Sequence, residues 1–236
     1  MPILSIVIPT YNESATLVRL LEKVQSVELG WGFAKEVIII DDGSTDDTLN
    51  IIQKYLSENS SFFVTYYRHP RNLGKGAAIR TAMQFVKGDY ILIQDADLEY
   101  DPSDYNTLLQ PVVDAQADVV YGSRFVGSKP HRVLFFWHFI GNKFLTFLSN
   151  LLSDLNLTDI ETGYKLFRVD ILKNLSLKEK RFGFEPEVTA KIAKIPGIRI
   201  YEVGISYYGR TYAEGKKINW KDGFRAIYCI LKYNLF

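Results

Sequence analysis

The sequence predicts an α/β fold in which a mostly parallel central sheet is flanked by helices. Short apolar, β-branched runs alternate with stretches of helical spacing through the first half of the chain. Strands that alternate with helices of about ten to fifteen residues indicate βαβ units. The earliest runs, 3–8 and 37–40, are almost continuously apolar, which suits strands buried on both faces of a parallel sheet. Polar motifs follow three of the predicted strands, where an α/β protein binds its ligands.

The elements follow one another without an internal repeat and without a linker rich in glycine, serine or proline. In the first half we predict strands at residues 4–8, 36–40, 62–67 and 90–94 and helices at 15–27, 47–58 and 76–86. In the second half we predict a strand at 119–121, a loop at 127–131, a helix at 133–152, a strand at 198–207 and a helical tail over 218–236. We therefore expect a single domain over 1–236.

Composition and charge exclude several classes of protein. The chain has 236 residues, of which 47% are apolar and 23% are charged, as in a folded globular protein. Its formal net charge of +1 provides no overall field that would attract nucleic acid, so we expect no nucleic-acid partner. Cys229 is the single cysteine, which excludes an internal disulfide and a multi-cysteine metal site and fits a reducing, cytoplasmic environment.

Three polar motifs come directly after predicted strands. Residues 9–13 read Pro-Thr-Tyr-Asn-Glu, residues 41–44 read Asp-Asp-Gly-Ser, and residues 95–97 read Asp-Ala-Asp. In open α/β sheets, ligands bind beyond the carboxyl ends of the strands. The sequence therefore predicts a ligand site at this edge of the sheet.

The pair Asp95 and Asp97 is the strongest candidate for a metal site. The two carboxylates are spaced i, i+2 after a predicted buried strand, and Glu99 follows two residues later. Mg²⁺ and Mn²⁺ prefer oxygen ligands and are held by one or two carboxylates together with substrate phosphates. Such an ion would stabilise a departing nucleotide diphosphate. The alternative is a polar turn of solvated carboxylates.

Two other motifs suggest contacts with a nucleotide. Gly43 permits a tight turn after the second strand, and one of residues 44–46 is expected to cap the next helix. One of the two adjacent aspartates, with Asp42 favoured over Asp41, is expected to hydrogen-bond a base or ribose. Lys75 lies in the glycine-rich run 72–76, which opens a helix whose backbone N–H groups favour anions. A glycine-rich turn with an exposed lysine is the alternative.

Taken in order, residues 9–13, 41–44, 72–76, 95–98 and 122–124 resemble family-two glycosyltransferases of the GT-A fold, and specifically the branch of polyprenyl- (dolichyl-) phosphate mannose or glucose synthases. The resemblance covers nearly the whole chain. It implies a GT-A nucleotide-diphospho-sugar transferase fold and inverting transfer of a hexose from GDP-mannose or UDP-glucose to polyprenyl phosphate, with Mg²⁺ or Mn²⁺ as cofactor. One alternative keeps the donor chemistry with a soluble sugar, glycan or protein acceptor in cell-envelope polysaccharide synthesis. Another is a non-catalytic sugar-nucleotide-binding module.

The resemblance also implies which residues bind the donor and the metal. The implied metal ligands are Asp95, Asp97 and Glu99, the last standing where the family often has glutamine. The residues implied in donor binding are Pro9, Tyr11, Glu13, Ile40, Asp42, Lys75, Asp95, Ala96, Asp97 and Arg124. Arg124 would contact the donor or acceptor phosphate, because a planar guanidinium binds phosphate oxygens bidentately.

The catalytic residues that the resemblance implies are Asp159, Arg124, Arg210 and Lys216. Asp159 would act as a base or position the acceptor, and Glu161 competes for this role. An ion pair between Asp159 and Lys165 or Arg168 is the alternative. Arg210 and Lys216 would clamp a phosphate acceptor, unless they belong to a solvated basic loop.

Two segments raise the question of membrane contact. The segment 133–152 contains five phenylalanines and Trp137, which we interpret as a core helix beneath the site, with lipid or isoprenoid contact as the alternative. The tail carries apolar residues at helical spacing and the cations Lys216, Lys217, Lys221, Arg225 and Lys232. Such a helix either binds a membrane surface or docks on the domain.

The organisation of the chain follows from these assignments. We expect a nucleotide-sugar-binding half at 1–124, an acceptor half at 125–210 and a basic amphipathic tail at 211–236. No stretch reaches the roughly 18–20 uninterrupted apolar residues of a membrane-spanning helix, and the N-terminus lacks the basic region of a signal peptide. We therefore expect a cytoplasmic protein that is peripheral on the cytoplasmic face of the membrane, with homo-oligomerisation left open.

Overall fold

A computed structural model describes residues 1–59, 64–133, 135–211, 214 and 220–236. The β-branched runs of the first half form four parallel strands, namely β1 (Ile3–Thr10), β2 (Ala34–Asp41), β3 (Val64–Arg68) and β4 (Tyr90–Ile93). Between them lie the helices α1 (Leu17–Ser26), α2 (Thr48–Glu58) and α3 (Lys75–Ala82). The predicted alternation of strand and helix is therefore confirmed for this half.

The second half completes the same sheet. Its strands are β5 (Val119–Ser123), β6 (Lys165–Arg168) and β7 (Ile200–Gly204). Its helices are α4 (Tyr105–Ala115), α5 (Phe136–Ser153), α6 (Val169–Asn174), α7 (Phe184–Ala193) and α8 (Trp220–Leu235). A short 3₁₀ turn, Pro102–Asp104, leads into α4.

The strand order of the seven-stranded sheet is β3-β2-β1-β4-β6-β5-β7. Only β6 runs against its neighbours, since it pairs antiparallel with both β4 and β5, whereas β7 pairs parallel with β5. The sheet is thus mostly parallel, as predicted. Because β6 is reversed, its beginning lies at the edge where β4 and β5 end. The segment 159–164 therefore reaches the same edge as the motifs that follow β1, β2 and β4.

Both faces of the sheet are covered, which explains the continuous apolar runs. Within β1, Ile6 packs in a core cluster with Leu20 of α1 and Leu108 of α4. Its neighbour Val7 points to the other face and packs in a second cluster with Val188 of α7. Successive residues of this strand thus enter different cores, which explains why apolar residues occupy consecutive positions.

Several elements of the second half were not predicted from the sequence. The helix α4 contains Pro111, which interrupts a helical pattern, and α7 carries Pro186 in its first turn. The strand β6 has four residues, of which Lys165 and Arg168 are basic, so it lacks an apolar run.

The helix α3 ends at Ala82, four residues before the predicted end. The first two residues of the predicted third strand, 62 and 63, lie outside the described residues.

The helix α5 turns polar side chains inward and aromatic side chains outward. Its buried residues are Thr146 and Ser149, whereas Trp137 and Phe147 expose 77% and 64% of their surface. The interpretation of this segment as an aromatic core helix is therefore wrong for most of its aromatic residues. Contacts between α5 and the segment 157–160 are polar, so the inward face has no need of aromatic side chains.

The helix α8 is docked on α5 and α7 and still exposes apolar residues on its other side. Cys229 and Ile230 are buried, while Phe224 and Leu235 are exposed. None of the helices in the described part of the chain has the length and apolar character needed to cross a lipid bilayer.

Gly74 occupies the position before α3, where the backbone adopts φ +98°. An added Cβ would lie well inside van der Waals contact with the carbonyl oxygen of Lys180. This close approach packs the start of α3 against the segment before α7. The position therefore requires glycine for both conformational and steric reasons.

We expect Gly74→Ala to lower the free energy of unfolding by roughly 2–4 kcal/mol, because strain at positive φ adds to overpacking. Gly141→Ala is the matched control, since Gly141 is exposed in α5 and its added Cβ would meet no atom within 4 Å. This control should be neutral or stabilising by up to about 1 kcal/mol. Urea unfolding of both variants measures the difference, and equal effects would contradict the role assigned to Gly74.

Candidate functional site

The loop after β4 presents two carboxylates to a cleft at the carboxyl edge of the sheet. Asp95 and Asp97 are each mostly buried, and the loop turns at Leu98, whose φ is +62°. Ala96 points away from the cleft and is buried, and its carbonyl oxygen accepts a hydrogen bond from Thr16 Oγ1 at 2.8 Å. The i, i+2 spacing therefore places both aspartates on the same side of the loop.

Two cations from distant segments bind these carboxylates. Lys75 Nζ lies 2.8 Å from Asp95 Oδ1, and Arg210 Nη2 lies 2.9 Å from Asp97 Oδ2. Arg210 also approaches Glu13 at 3.4 Å and Glu99 at 3.7 Å. The structure thus brings together the predicted residues from the motifs after β1, β3 and β4 and from the C-terminal part of the chain.

The aspartates form a cation-binding group that is not a complete metal site. Burial, followed by the charges of Asp95 and Glu99, raises the pKa of Asp97 to about 7, and Arg210 opposes this rise. Excess negative charge of this kind favours a bound cation. The described residues include no preformed group of three His, Cys, Asp or Glu side chains able to hold a metal. Asp95 and Asp97 fit a site that substrate phosphates complete, as Mg²⁺ sites usually are.

Glu99 differs from its predicted role as a metal ligand. Its Oε1 accepts the backbone N–H of Arg210 at 2.7 Å, and its Oε2 accepts the hydroxyl of Tyr207 at 2.8 Å. Both carboxylate oxygens therefore anchor the segment 207–210. Glu99 positions Arg210 opposite Asp97.

Asp42 also differs from its predicted role in binding a base or ribose. Its Oδ2 accepts the N–H of Gly74 at 2.7 Å, and its Oδ1 accepts the N–H of Leu73 at 2.9 Å and lies 2.7 Å from His69 Nδ1. Asp42 is buried and holds the turn that precedes α3. Asp42 therefore holds the backbone directly before Lys75 and so positions this lysine.

The remaining residues predicted to bind the donor lie at the ends of β1 and β2. Pro9 and Tyr11 are half-buried at the end of β1, and Glu13 accepts a hydrogen bond from Thr16 Oγ1 at 2.9 Å. The side chain of Ile40 is fully buried in the core, so it has no surface to offer a ligand. This part of the prediction is wrong for the Ile40 side chain, because β2 is covered on both faces.

Arg124 and Asp159 form a buried ion pair on the other side of the cleft. Arg124 Nε donates to Asp159 Oδ2 at 2.6 Å, and Nη2 donates to Oδ1 at 2.7 Å. Asn142 of α5 donates to Oδ1 at 3.2 Å. Burial alone would raise the pKa of Asp159, but the charge and hydrogen bonds of Arg124 hold it below its ordinary value. A carboxylate with a lowered pKa is a poor base, so this geometry favours a positioning role.

The alternative ion pairs of Asp159 are not formed. Lys165 donates to the carbonyl oxygens of Ile160 and Thr162, and Arg168 pairs with Asp118 and Asp170. The partner of Asp159 is the arginine predicted from the Gly-Ser-Arg run. Lys216, predicted to clamp the acceptor with Arg210, lies outside the described residues.

Aromatic residues connect the two sides of the cleft. The guanidinium of Arg124 lies 5.1 Å from the ring centroid of Tyr207, whose hydroxyl donates to Glu99. Tyr100 accepts the N–H of Gly163 at 2.8 Å, and Gly163 packs closely against Asp95. Arg124 and the aspartates after β4 are therefore linked by direct contacts at one edge of the sheet.

Glu185 was missed by the sequence analysis and lies beside the aspartates. Its Oε1 is 3.1 Å from Lys75 Nζ, and its Oε2 is buried without a hydrogen-bond partner among the described residues. Glu161, which was considered only as a rival of Asp159, also has a buried oxygen of this kind. The run Phe-Glu-Pro-Glu at 184–187 offered a signal, since acidic residues favour the first turn of a helix.

Comparisons with known proteins agree with this geometry. A model of the Glycosyl transferase family 2 matches residues 5–176. A dodecaprenyl-phosphate galacturonate synthase of Rhizobium johnstonii is 27% identical over 90% of this chain, which spans 61% of that protein's length. A UDP-N-acetylglucosamine–dolichyl-phosphate N-acetylglucosaminyltransferase of Methanococcus voltae is 28% identical over 96% of this chain and 94% of that protein.

A solved structure has the same fold. Glucosyl-3-phosphoglycerate synthase from Mycobacterium tuberculosis, in complex with Mn²⁺, UDP and phosphoglyceric acid, superposes with a TM-score of 0.70 at 20% identity. The superposition covers 98% of this chain and 78% of that one. The predicted GT-A fold is therefore confirmed.

We expect Asp159→Asn to lower the free energy of unfolding by about 3 kcal/mol or more, because Arg124 is then buried without its counter-charge. Asp170→Asn is the matched control. Asp170 binds Arg168 through two similar hydrogen bonds of 2.7 and 3.0 Å, but its side chain is 60% exposed. Its loss should cost less than about 1 kcal/mol. Denaturant unfolding of both variants is the measurement, and equal losses would show that Arg124 is solvated.

Proposed function

The chain belongs to the Glycosyl transferase family 2, and from this premise we propose that it transfers a hexose from a nucleotide-sugar to a polyprenyl phosphate with inversion at the anomeric carbon. The observation that carries the proposal is that one edge of the sheet holds both the paired carboxylates Asp95 and Asp97 and the held guanidinium of Arg124. A transferase needs groups that bind the leaving diphosphate and groups that bind the attacking phosphate, and these residues would supply both.

The donor side is formed by the loop after β4 and its cations. Asp95 and Asp97 would hold Mg²⁺ or Mn²⁺, which supplies charge stabilisation of the departing diphosphate. Lys75 and Arg210 lie beside these carboxylates and would bind diphosphate oxygens once the donor is in place. Pro9, Tyr11 and Glu13 would line the nucleotide pocket. The Mn²⁺ and UDP complex of the mycobacterial enzyme with the same fold supports this assignment.

The acceptor side centres on Arg124. A phosphate oxygen of the acceptor attacks the anomeric carbon, and the bond from that carbon to the diphosphate oxygen breaks, so that the diphosphate leaves with the electron pair. The acceptor phosphate is already an anionic nucleophile and needs no strong base. Asp159 therefore acts as a positioning residue that aims Arg124 at the acceptor phosphate, and Arg210 and Lys216 help to neutralise the charge.

The lipid nature of the acceptor is supported by the surface beside Arg124. Phe125 follows Arg124 and packs edge-on against Phe139 of α5, with ring centroids 5.3 Å apart. From Phe139, the outward face of α5 continues through exposed aromatic residues. An acceptor with a phosphate at Arg124 and a hydrocarbon chain along α5 would match this surface. The R. johnstonii and M. voltae relatives are named for lipid-phosphate products and acceptors, which agrees with this choice.

The same surface supports peripheral binding to the cytoplasmic face of a membrane. We define the apolar face as the exposed residues of α5 and α8, which pack on each other: Phe136, Trp137, Ile140, Phe144, Phe147, Leu151, Phe224, Tyr228, Leu231 and Leu235. The nearby cations Lys129 and Arg132 are paired with Asp104 and Glu214, so the surface is apolar rather than strongly cationic. An apolar surface of this kind suits the boundary between phospholipid headgroups and acyl chains.

The proposed activity is tested with Asp97→Asn. The wild-type protein should transfer a hexose from GDP-mannose or UDP-glucose to a short polyprenyl phosphate in Mg²⁺ or Mn²⁺, and the variant should be at least about 100-fold slower, because it loses a metal ligand. Asp101→Asn is the control, since Asp101 lies four residues further on and pairs with Lys23. Transfer to 3-phosphoglycerate but not to the lipid would favour a soluble acceptor. Failure of the wild-type protein to bind any donor with metal would reject the transferase.

Membrane binding is tested by removing two residues of the apolar face. Trp137→Ser combined with Phe147→Ser should weaken binding to phosphatidylglycerol-containing vesicles by roughly tenfold or more, because two exposed aromatic side chains no longer enter the bilayer. Trp31→Ser, which removes an exposed aromatic residue outside the apolar face, should not change binding. Vesicle co-sedimentation is the measurement. Equal binding of all three proteins would reject the apolar face as the contact surface.

A further inference from the structure

Lys75 lies between Glu185 and the proposed metal ligand Asp95 and binds both carboxylates. Glu185 belongs to the first turn of α7, and its side chain is only 6% exposed. Lys75 Nζ bridges the two carboxylates, at 3.1 Å from Glu185 Oε1 and 2.8 Å from Asp95 Oδ1. The carboxylate of Glu185 therefore lies beside the proposed donor site.

The second oxygen of Glu185 is buried and has no hydrogen-bond donor in the described part of the chain. Glu187, two residues further along the same helix, contrasts with it. Both oxygens of Glu187 accept backbone N–H groups, from Lys178 at 2.8 and 3.0 Å and from Glu179 at 2.7 Å. Buried polar atoms are nearly always satisfied, and an exception requires a donor from elsewhere. For an ionised carboxylate oxygen, that donor is an O–H or N–H group of a ligand.

Glu161 is a second acidic residue near this site, towards the acceptor side. Its Oε1 is likewise buried without a partner among the described residues. Burial, followed by the charge of Glu185, raises the pKa of Glu161 to about 8, and the charges of Arg124 and Asp159 also act on it. Glu161 lies in the segment between Asp159, which binds Arg124, and Gly163, which packs against Asp95. With Glu185 beside Lys75 and Asp95, the two glutamates lie along the interval between the diphosphate side and the acceptor side.

In a glycosyl transfer, that interval is where the donor's sugar must lie. We propose that Glu185, with Glu161 beside it, forms the subsite for the sugar ring, that Glu185 accepts hydrogen bonds from sugar hydroxyls, and that Glu185 restricts the donor to uncharged sugars. This inference rests on the proposed transferase function. A hexose or an N-acetylhexosamine brings the O–H donors that the free oxygen of Glu185 lacks. A uronic acid would bring a carboxylate against Glu185, and such like-charge contact is a means of rejecting a ligand.

The test compares two donors that differ only at C6 of the sugar. For a uridine-specific protein these are UDP-glucose and UDP-glucuronic acid, and for a guanosine-specific protein GDP-mannose and GDP-mannuronic acid. In titration calorimetry with Mn²⁺, wild-type protein should bind the neutral donor at least about tenfold more tightly. Glu185→Gln keeps the shape of the side chain and removes its charge, so this preference should shrink by about tenfold. Affinity for the free nucleoside diphosphate should change by less than about threefold.

Glu187→Gln is the matched control, because Glu187 is buried in the same helix but already satisfied. It should leave the donor preference unchanged. An equal loss of affinity for nucleoside diphosphate and neutral donor in Glu185→Gln would overturn the proposal, since Glu185 would then serve only to hold Lys75. Equal wild-type affinity for the neutral and uronic donors would also overturn the proposal. This comparison needs no variant, so it remains a test if the Glu185→Gln protein does not fold. Absence of nucleoside diphosphate binding in the wild-type protein would count against the transferase function instead.

Discussion

Repulsion among the carboxylates at the end of β4 is the constraint on which the rest of the site depends. Two like charges about 4 Å apart repel by roughly 4 kcal/mol at the effective dielectric constant of a protein surface. The charge of Asp95 raises the pKa of Asp97, and Glu13 and Glu99 lie beside them around Arg210. Such a group requires cations. Those cations come from the beginning of α3 and from the segment after β7, so the electrostatics of one loop tie together distant parts of the chain.

The positioning of these cations explains the contacts of two acidic residues, Asp42 and Glu99. The carboxylate oxygens of Asp42 accept hydrogen bonds from the turn that precedes α3, and this positions Lys75. The carboxylate oxygens of Glu99 accept hydrogen bonds from the segment 207–210, and this positions Arg210. In both cases an acidic residue holds the segment that carries a basic one. The polar motifs at the strand ends therefore contain two layers, one that faces the cleft and one that holds the first in position.

The sequence was sufficient to predict the parallel half of the sheet, because consecutive apolar residues such as Ile6 and Val7 must each have a core to enter. It was also sufficient to place Asp95 and Asp97 at the ligand edge. It was insufficient for β6, whose two basic residues conceal a strand. Without that reversed strand, the hydrophobic pattern did not indicate that residues 159–164 return to this edge of the sheet, and only the family resemblance placed Asp159 in one site with Arg124. Glu185 was missed for a related reason, since its helix begins at a proline-containing run.

The helix α5 shows why the pairing of Arg124 and Asp159 bears on the surface of the protein. Its polar residues Asn142 and Thr146 face inward, where Asn142 binds Asp159 and Thr146 binds the N–H of Ile160. The inward face thus helps to hold Asp159, the partner of Arg124, in position. The aromatic residues on its outward face contribute little to the core, and in water they would be unfavourable. An exposed stripe of this kind is consistent with use at an apolar surface, and the same helix would then connect the lipid phase with Arg124, the arginine proposed to bind the acceptor phosphate.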